Sequence, residues 1–128
     1  MMEDRIKLLE TDLVFYDEVP VQTLETLDNA FKRVFELTAG LKPWFLIVDI
    51  RKTTPPTPEI RNRLQEIYAD APGLKHIVLI TGLSRLLATV VRFVAGQSIK
   101  IPFTMVKDYN AALKRIGEVR GSTGVDNF

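Results

Sequence analysis

WFLIVDIRKTTPPTPEIRNRL, residues 44–64, passes from an apolar run through a threonine- and proline-rich junction into a helical pattern. The run from Trp44 to Ile50 carries one acid, Asp49, near its end. A short apolar run of this kind suits a strand covered on both faces, the usual situation in a parallel sheet. Pro55 and Pro56 break the strand, and Thr57 stands where a helix N-cap wants a side-chain oxygen. Pro58 and Glu59 both favour a first helical turn. Ile60, Leu64, Ile67 and Ala71 then recur at spacings of three and four, until Pro72-Gly73 stops the pattern. The unit to look for elsewhere in the chain is therefore strand, tight junction, helix.

Upstream, Leu24, Leu27, Phe31, Val34, Phe35 and Thr38 share one helical face, while Glu25, Asp28, Lys32, Arg33 and Glu36 take the other. Gly40 follows as a C-cap. Before that helix, RIKLLE and LVFYD flank Thr11-Asp12 and predict a hairpin. Downstream come the buried strand HIVLIT (76–81), a helix from Leu83 to Gln97, and the strand IPFTMV (101–106). Asp108 then caps a last helix containing Ala112, Leu113 and Ile116. The expected fold is α/β: an N-terminal β-hairpin followed by alternating α/β units, in a mostly parallel sheet with helices packed on it. One domain is expected over residues 1–117. The small, polar residues 118–128 are expected to form a flexible C-terminal tail.

Composition bounds the chemistry. The 128 residues are 46% apolar and 26% charged with a net charge of +1, the profile of a soluble globular domain. Neither nucleic acid nor a membrane is expected as a partner on electrostatic grounds. The absence of cysteine removes thiolate metal sites, disulfides and thiol nucleophiles. His76 is the one histidine. It stands beside Lys75 with no acid or hydroxyl nucleophile close in sequence, and reads as a structural or surface residue. No phosphate-binding glycine loop and no nucleophile-elbow serine motif occurs, so no metal, cofactor or catalytic residue is expected. The N-terminal stretch MMEDRIKLLE is charged within five residues and has no apolar signal core, which predicts a cytoplasmic location.

The hairpin leading into a short α/β array, LIVDI at residues 46–50 with a helix directly after it, and the closing unit MVKDYNAALKRI together resemble the STAS domain. That is the SpoIIAA-like fold of anti-sigma factor antagonists, and the resemblance covers roughly residues 5–117. It implies a non-enzymatic regulatory or interaction domain. In that family a serine or threonine beside an aspartate, followed by glycine, opens the helix after the central strand and is phosphorylated by a partner kinase. Here the stretch reads KTTPPTPEI, so the acid-serine-glycine arrangement is missing and Thr57 matches by position alone. Asp49, Thr81 and Lys107, each after a strand, with Asp17 and Glu18 after the hairpin, are also similar to the phosphoacceptor set of response-regulator receivers. A receiver would need two helices and a further strand before Asp49, where one helix fits.

Two surfaces emerge as candidates. In an open parallel sheet, ligands bind beyond the carboxyl ends of the strands. Asp49, Arg51, Thr53, Thr54 and Thr57 fall there, with Thr81, Gly82 and Ser84 at the neighbouring junction. They suit a small anionic ligand at helix N-termini, although capping and loop contacts alone also predict these residue types here. The second surface is the 83–97 helix. Leu83, Leu86, Leu87, Val90, Val91, Phe93 and Val94 span about 160° of it, against about 100° for an ordinary sheet-packed helix. That surplus suits a protein partner or a homodimer contact, or equally a more deeply buried helix. Beside the interaction-domain reading stand two alternatives: a small ligand-binding protein or enzyme with a crevice near Asp49 and Ser84, and a receiver-like phosphoacceptor at Asp49.

Overall fold

Side-chain alternation along each strand decides what this sheet covers. The computed structural model describes residues 5–86, 88, 89, 92 and 101–125. β1 (Ile6–Glu10) and β2 (Leu13–Asp17) pair antiparallel, with Ile6 opposite Tyr16 and Leu8 opposite Val14. From β2 onward every pairing is parallel. β3 (Trp44–Asp49), β4 (Leu74–Ile80) and β5 (Phe103–Val106) follow in sequence order, so the mixed five-stranded sheet runs β1-β2-β3-β4-β5. Three helices complete the α/β fold among the described residues: α1 (Leu24–Thr38), α2 (Pro58–Ala69) and α3 (Tyr109–Val125).

β3 holds the centre, and its first five residues are all buried. Its even-numbered residues Trp44, Leu46 and Val48 face one core with Val14 and Tyr16 of β2 and Ile77 and Leu79 of β4. α1 covers that side with Leu27, Ala30, Phe31 and Val34, and α2 with Ile60, Ile67 and Tyr68. The odd-numbered Phe45 and Ile47 join Leu13, Val78 and Ile80 on the opposite face, beneath Ala112 and Ile116 of α3. A continuous apolar strand is what two covered faces require. Phe31 meets Tyr16 and Tyr68 edge-on, at centroid distances of 6.1 and 5.4 Å, so one ring links strand, first helix and second helix.

The helices begin where hydroxyls can cap them. The Thr23 hydroxyl accepts from the Thr26 amide and the Thr26 hydroxyl accepts from the Thr23 amide, closing a capping box at α1. The Thr57 hydroxyl accepts the Ile60 amide at 3.3 Å, with Pro58 at the first helical position of α2. At the far end of α2, Gly73 takes φ 81°, and a Cβ there would lie 2.4 Å from the Leu41 carbonyl oxygen, so backbone and space both call for glycine. The Trp44 indole N–H donates to the Pro72 carbonyl at 2.6 Å and locks the same corner.

Two expectations concern the C-terminal half of the chain. Residues past Gly117 read as a tail, yet α3 continues to Val125. Arg120 anchors this extension. Its guanidinium pairs with Asp12 and with Glu10 (2.8 Å), and sits 5.7 Å over the Phe45 ring. A contact 108 residues distant in sequence thus overrides the small, polar local composition. The expected 83–97 helix is described as helical at Arg85, Leu86, Ala88, Thr89 and Arg92. Leu87, Val90, Val91, Phe93 and Val94 lie outside the described residues.

Candidate functional site

Parallel pairing fixes one rim. Asp17 aligns with Asp49, Asp49 with Ile80, and Ile80 with Val106. The junctions after these four strands therefore leave the sheet along the same edge, and every sequence-derived ligand candidate stands on one of them.

Asp49 is held by its own loop. Its carboxylate accepts the Arg51 amide (3.1 Å) and a two-pronged bond from the Arg51 guanidinium, Nε at 3.0 Å and Nη2 at 2.7 Å. Burial of the Asp49 carboxyl would raise its pKa, but the Arg51 hydrogen bonds and charge outweigh it and hold the group below its ordinary value. The aliphatic part of Arg51 lies against Gly82, so one side chain bridges the β3 and β4 junctions. The exposed guanidinium also feels the charges of Asp108 and Asp17.

The threonines bind backbone. The Thr53 hydroxyl donates to the Val19 carbonyl at 3.2 Å, and the Thr54 amide and hydroxyl both reach the Pro20 carbonyl, at 2.9 and 3.2 Å. The exposed Thr57 caps α2, and the buried Thr81 hydroxyl lies 3.4 Å from both the Gly82 and Val106 carbonyls. The Ser84 carbonyl accepts the Ala88 amide at 3.0 Å and starts the next helical turn. These contacts fasten three junctions to one another. Beside the exposed polar groups of this edge, Arg51, Lys52 and Arg85 among them, three apolar side chains reach the surface: Val21 is 65% exposed, Leu83 84% and Leu86 77%.

No protein-family model matches the chain, and no curated protein or solved structure matches it. The chemistry of the site is accordingly read from its own residues.

Two clusters escaped the sequence reading. At the rim, Gln22 Nε2 donates both to the Tyr16 hydroxyl and to Glu18 Oε1, each at 3.0 Å. Burial pushes the Glu18 carboxyl up to about 7, and the Gln22 hydrogen bond offsets this only in part. The sequence signal was the adjacent pair of acids Asp17-Glu18 after a strand, which entered above only within the receiver-like set. Instead Asp17 points outward and Glu18 is half-buried, and no three-residue acid or histidine cluster able to hold a metal occurs among the described residues.

The second cluster lies under α3. His76 is buried inside β4, and its Nε2 is 2.8 Å from the Thr104 hydroxyl of β5. Arg115 Nε donates to the same hydroxyl at 3.1 Å. Burial, and then the Arg115 charge, lower the His76 pKa and favour the neutral ring. The contact spans 28 residues and leaves no local pattern in the chain. A shallow cavity of about 350 Å³ lies at the opposite, amino end of the sheet, between Lys42-Pro43 and Gly73, Leu74 and Lys75. It is remote from every rim residue named above.

Proposed function

We propose that this chain is a STAS-like, non-enzymatic interaction domain that docks a protein partner through the carboxyl rim of its sheet. One observation carries the reading. The rim leaves Leu83 and Leu86 largely exposed, beside junctions where Asp49, Thr53, Thr54 and Thr57 are engaged in holding the loops together. Water-exposed leucines are ordinary singly, whereas apolar side chains gathered at one functional edge favour a covered surface. The element order from hairpin to closing helix, together with a capped helix directly after the central strand, supports the STAS-like assignment. The departure at KTTPPTPEI argues for docking without the family's serine switch, and leaves the exposed Thr57 as the modifiable hydroxyl nearest that position.

The receiver-like alternative draws on the row of strand ends that carries Asp49, with Thr81 and Lys107 one residue beyond their strands. A phosphoacceptor carboxylate has to be free to attack, and Arg51 occupies both oxygens of Asp49. A crevice enzyme centred on Asp49 meets the same obstacle, since a lowered pKa and a two-pronged partner make a poor general base.

A photo-crosslinking side chain placed at position 83, in cells that make the protein naturally, tests the docking reading. A discrete protein adduct is expected, and Leu86→Glu in the same chain should abolish it while leaving the far-ultraviolet circular dichroism unchanged. An adduct pattern indifferent to Leu86→Glu, or identical to that from a probe at Lys32 on the exposed face of α1, would refute it.

A further inference from the structure

The loop between β2 and α1 is fastened on two sides. Toward β3, the Glu18 amide donates to the Asp49 carbonyl at 3.1 Å, while Thr53 and Thr54 hold the Val19 and Pro20 carbonyls. Toward the core, Glu18 Oε1 accepts from Gln22 Nε2. The same amide nitrogen donates to Tyr16, and the amide oxygen accepts from the Thr26 hydroxyl within the α1 cap. One side-chain amide therefore couples a rim carboxyl to a core tyrosine and to a helix start.

The groups around Glu18 give an ionised carboxylate poor company. β2 contributes Tyr16 and Asp17, and α2 contributes Tyr68, whose hydroxyl is close enough to feel a charge on Glu18. β3 contributes Asp49, already paired with Arg51. Arg5, before β1, directs its guanidinium to the Asp17 and Glu18 carbonyls, at 3.3 and 3.5 Å, and to the Asp17 carboxylate at 3.7 Å. The first turn of α1 adds only the exposed Glu25. Among the described residues, then, the Glu18 carboxylate has a neutral amide as donor and forms no ion pair.

We propose that Glu18 is a proton-controlled latch on this rim: its neutral carboxyl keeps the β2–α1 junction seated on the β3–α2 junction, and loss of the proton to solvent releases it. A poorly hydrated, half-buried carboxylate without a cation regains hydration by moving outward. The movement open to it is of its own loop, because Tyr16 and Tyr68 are fixed around Phe31. Release would break the Thr53 and Thr54 contacts with Val19 and Pro20, exposing both junctions together. The latch stands on these contacts alone, whatever the rim docks.

The sign follows from linkage. Glu18 holds its proton up to about 7 when seated and would return to about 4.5 when open. The seated state is thus favoured most below the open-state value, and the advantage fades as pH rises through the seated value. Between pH 5.5 and 8.5 the open-to-seated ratio should rise roughly thirty-fold.

Amide exchange of the full chain by NMR reads this directly. The Thr54 amide, bonded to Pro20, should lose protection by about that factor across the interval after correction for intrinsic exchange chemistry, while the Ala112 amide in α3 stays level. Glu18→Gln, which keeps the shape without the charge, should hold Thr54 protection at its low-pH value throughout. The side-chain carboxyl carbon of Glu18 in the unmodified chain should titrate over the same interval as Thr54 protection. Flat protection at Thr54, a Glu18→Gln profile that follows the parent, or a carboxyl signal titrating in the ordinary glutamate range would each overturn the latch. If Glu18→Gln does not fold, the coincidence of the two curves in the parent chain decides alone.

Discussion

Replacing Gly73 by alanine isolates the close approach that closes the amino end of the sheet. Gly73 and Gly40 adopt nearly the same left-handed backbone, with φ of 81° and 78°. They differ in space. A Cβ at Gly40 would meet nothing within 4 Å, whereas at Gly73 it would meet the Leu41 carbonyl oxygen at 2.4 Å and the Trp44 ring at 3.0 Å. Both substitutions incur the left-handed penalty of roughly 1–2 kcal/mol. Gly73→Ala adds an overpacking cost of about 1–3 kcal/mol, because a backbone oxygen cannot rotate aside as a side chain can. The expected losses are about 1–2 kcal/mol for Gly40→Ala and about 2–5 kcal/mol for Gly73→Ala. Urea denaturation followed by fluorescence of Trp44, the single tryptophan, measures both in one assay. The native-state emission of Gly73→Ala should also shift, since the new methyl presses on the indole that binds Pro72. Equal losses for the two variants would refute the contact argument, because strain alone would then account for both.

Two further outcomes follow from the hydroxyl and imidazole contacts. Thr57→Ala should cost about 1 kcal/mol of unfolding free energy, and Thr57→Asn should recover most of it, since Thr57 acts as a cap on α2. Failure of asparagine to rescue, in the same denaturation assay, would point to a role for this hydroxyl other than capping. For His76, burial lowers the folded-state pKa. Its contribution to stability is therefore complete above the ordinary histidine value and declines as pH falls toward the folded-state value. His76→Gln should flatten the acid limb of the stability profile between about pH 7 and 5, where histidine normally titrates. A variant whose profile runs parallel to the parent's would show that His76 is protonated at no cost in the folded chain.

Much of the fold is legible in the chain because it is written in local repeats. The continuous run at 44–49 requires two covered faces and became the central strand. The three-four spacing of Leu27, Phe31 and Val34 became the buried stripe of α1. Thr57-Pro58-Glu59 specified the start of α2 before any contact was known, since capping satisfies backbone groups within four residues. The site divides along the same line. Asp49 and the threonines could be placed at strand and helix ends by sequence alone. That their polar groups are consumed in tying loops together, Asp49 by Arg51 and Thr54 by Pro20, depends on strands brought side by side.

The chain by itself indicated the five strands and the three described helices as far as Gly117, and which face of each seeks cover. Those preferences arise from periodicity and backbone chemistry over a few residues. Tertiary structure decided everything that joins distant segments: Arg120 on Asp12, which draws the expected tail into α3; His76 on Thr104; and Glu18 within electrostatic reach of Tyr16 and Tyr68. Charge and proton affinity depend on what surrounds a group at a few ångströms, and those surroundings come from stretches far apart in the chain. The exposure of Leu83 and Leu86 belongs to the same class, because an apolar residue declares itself a contact only when the folded body leaves it uncovered.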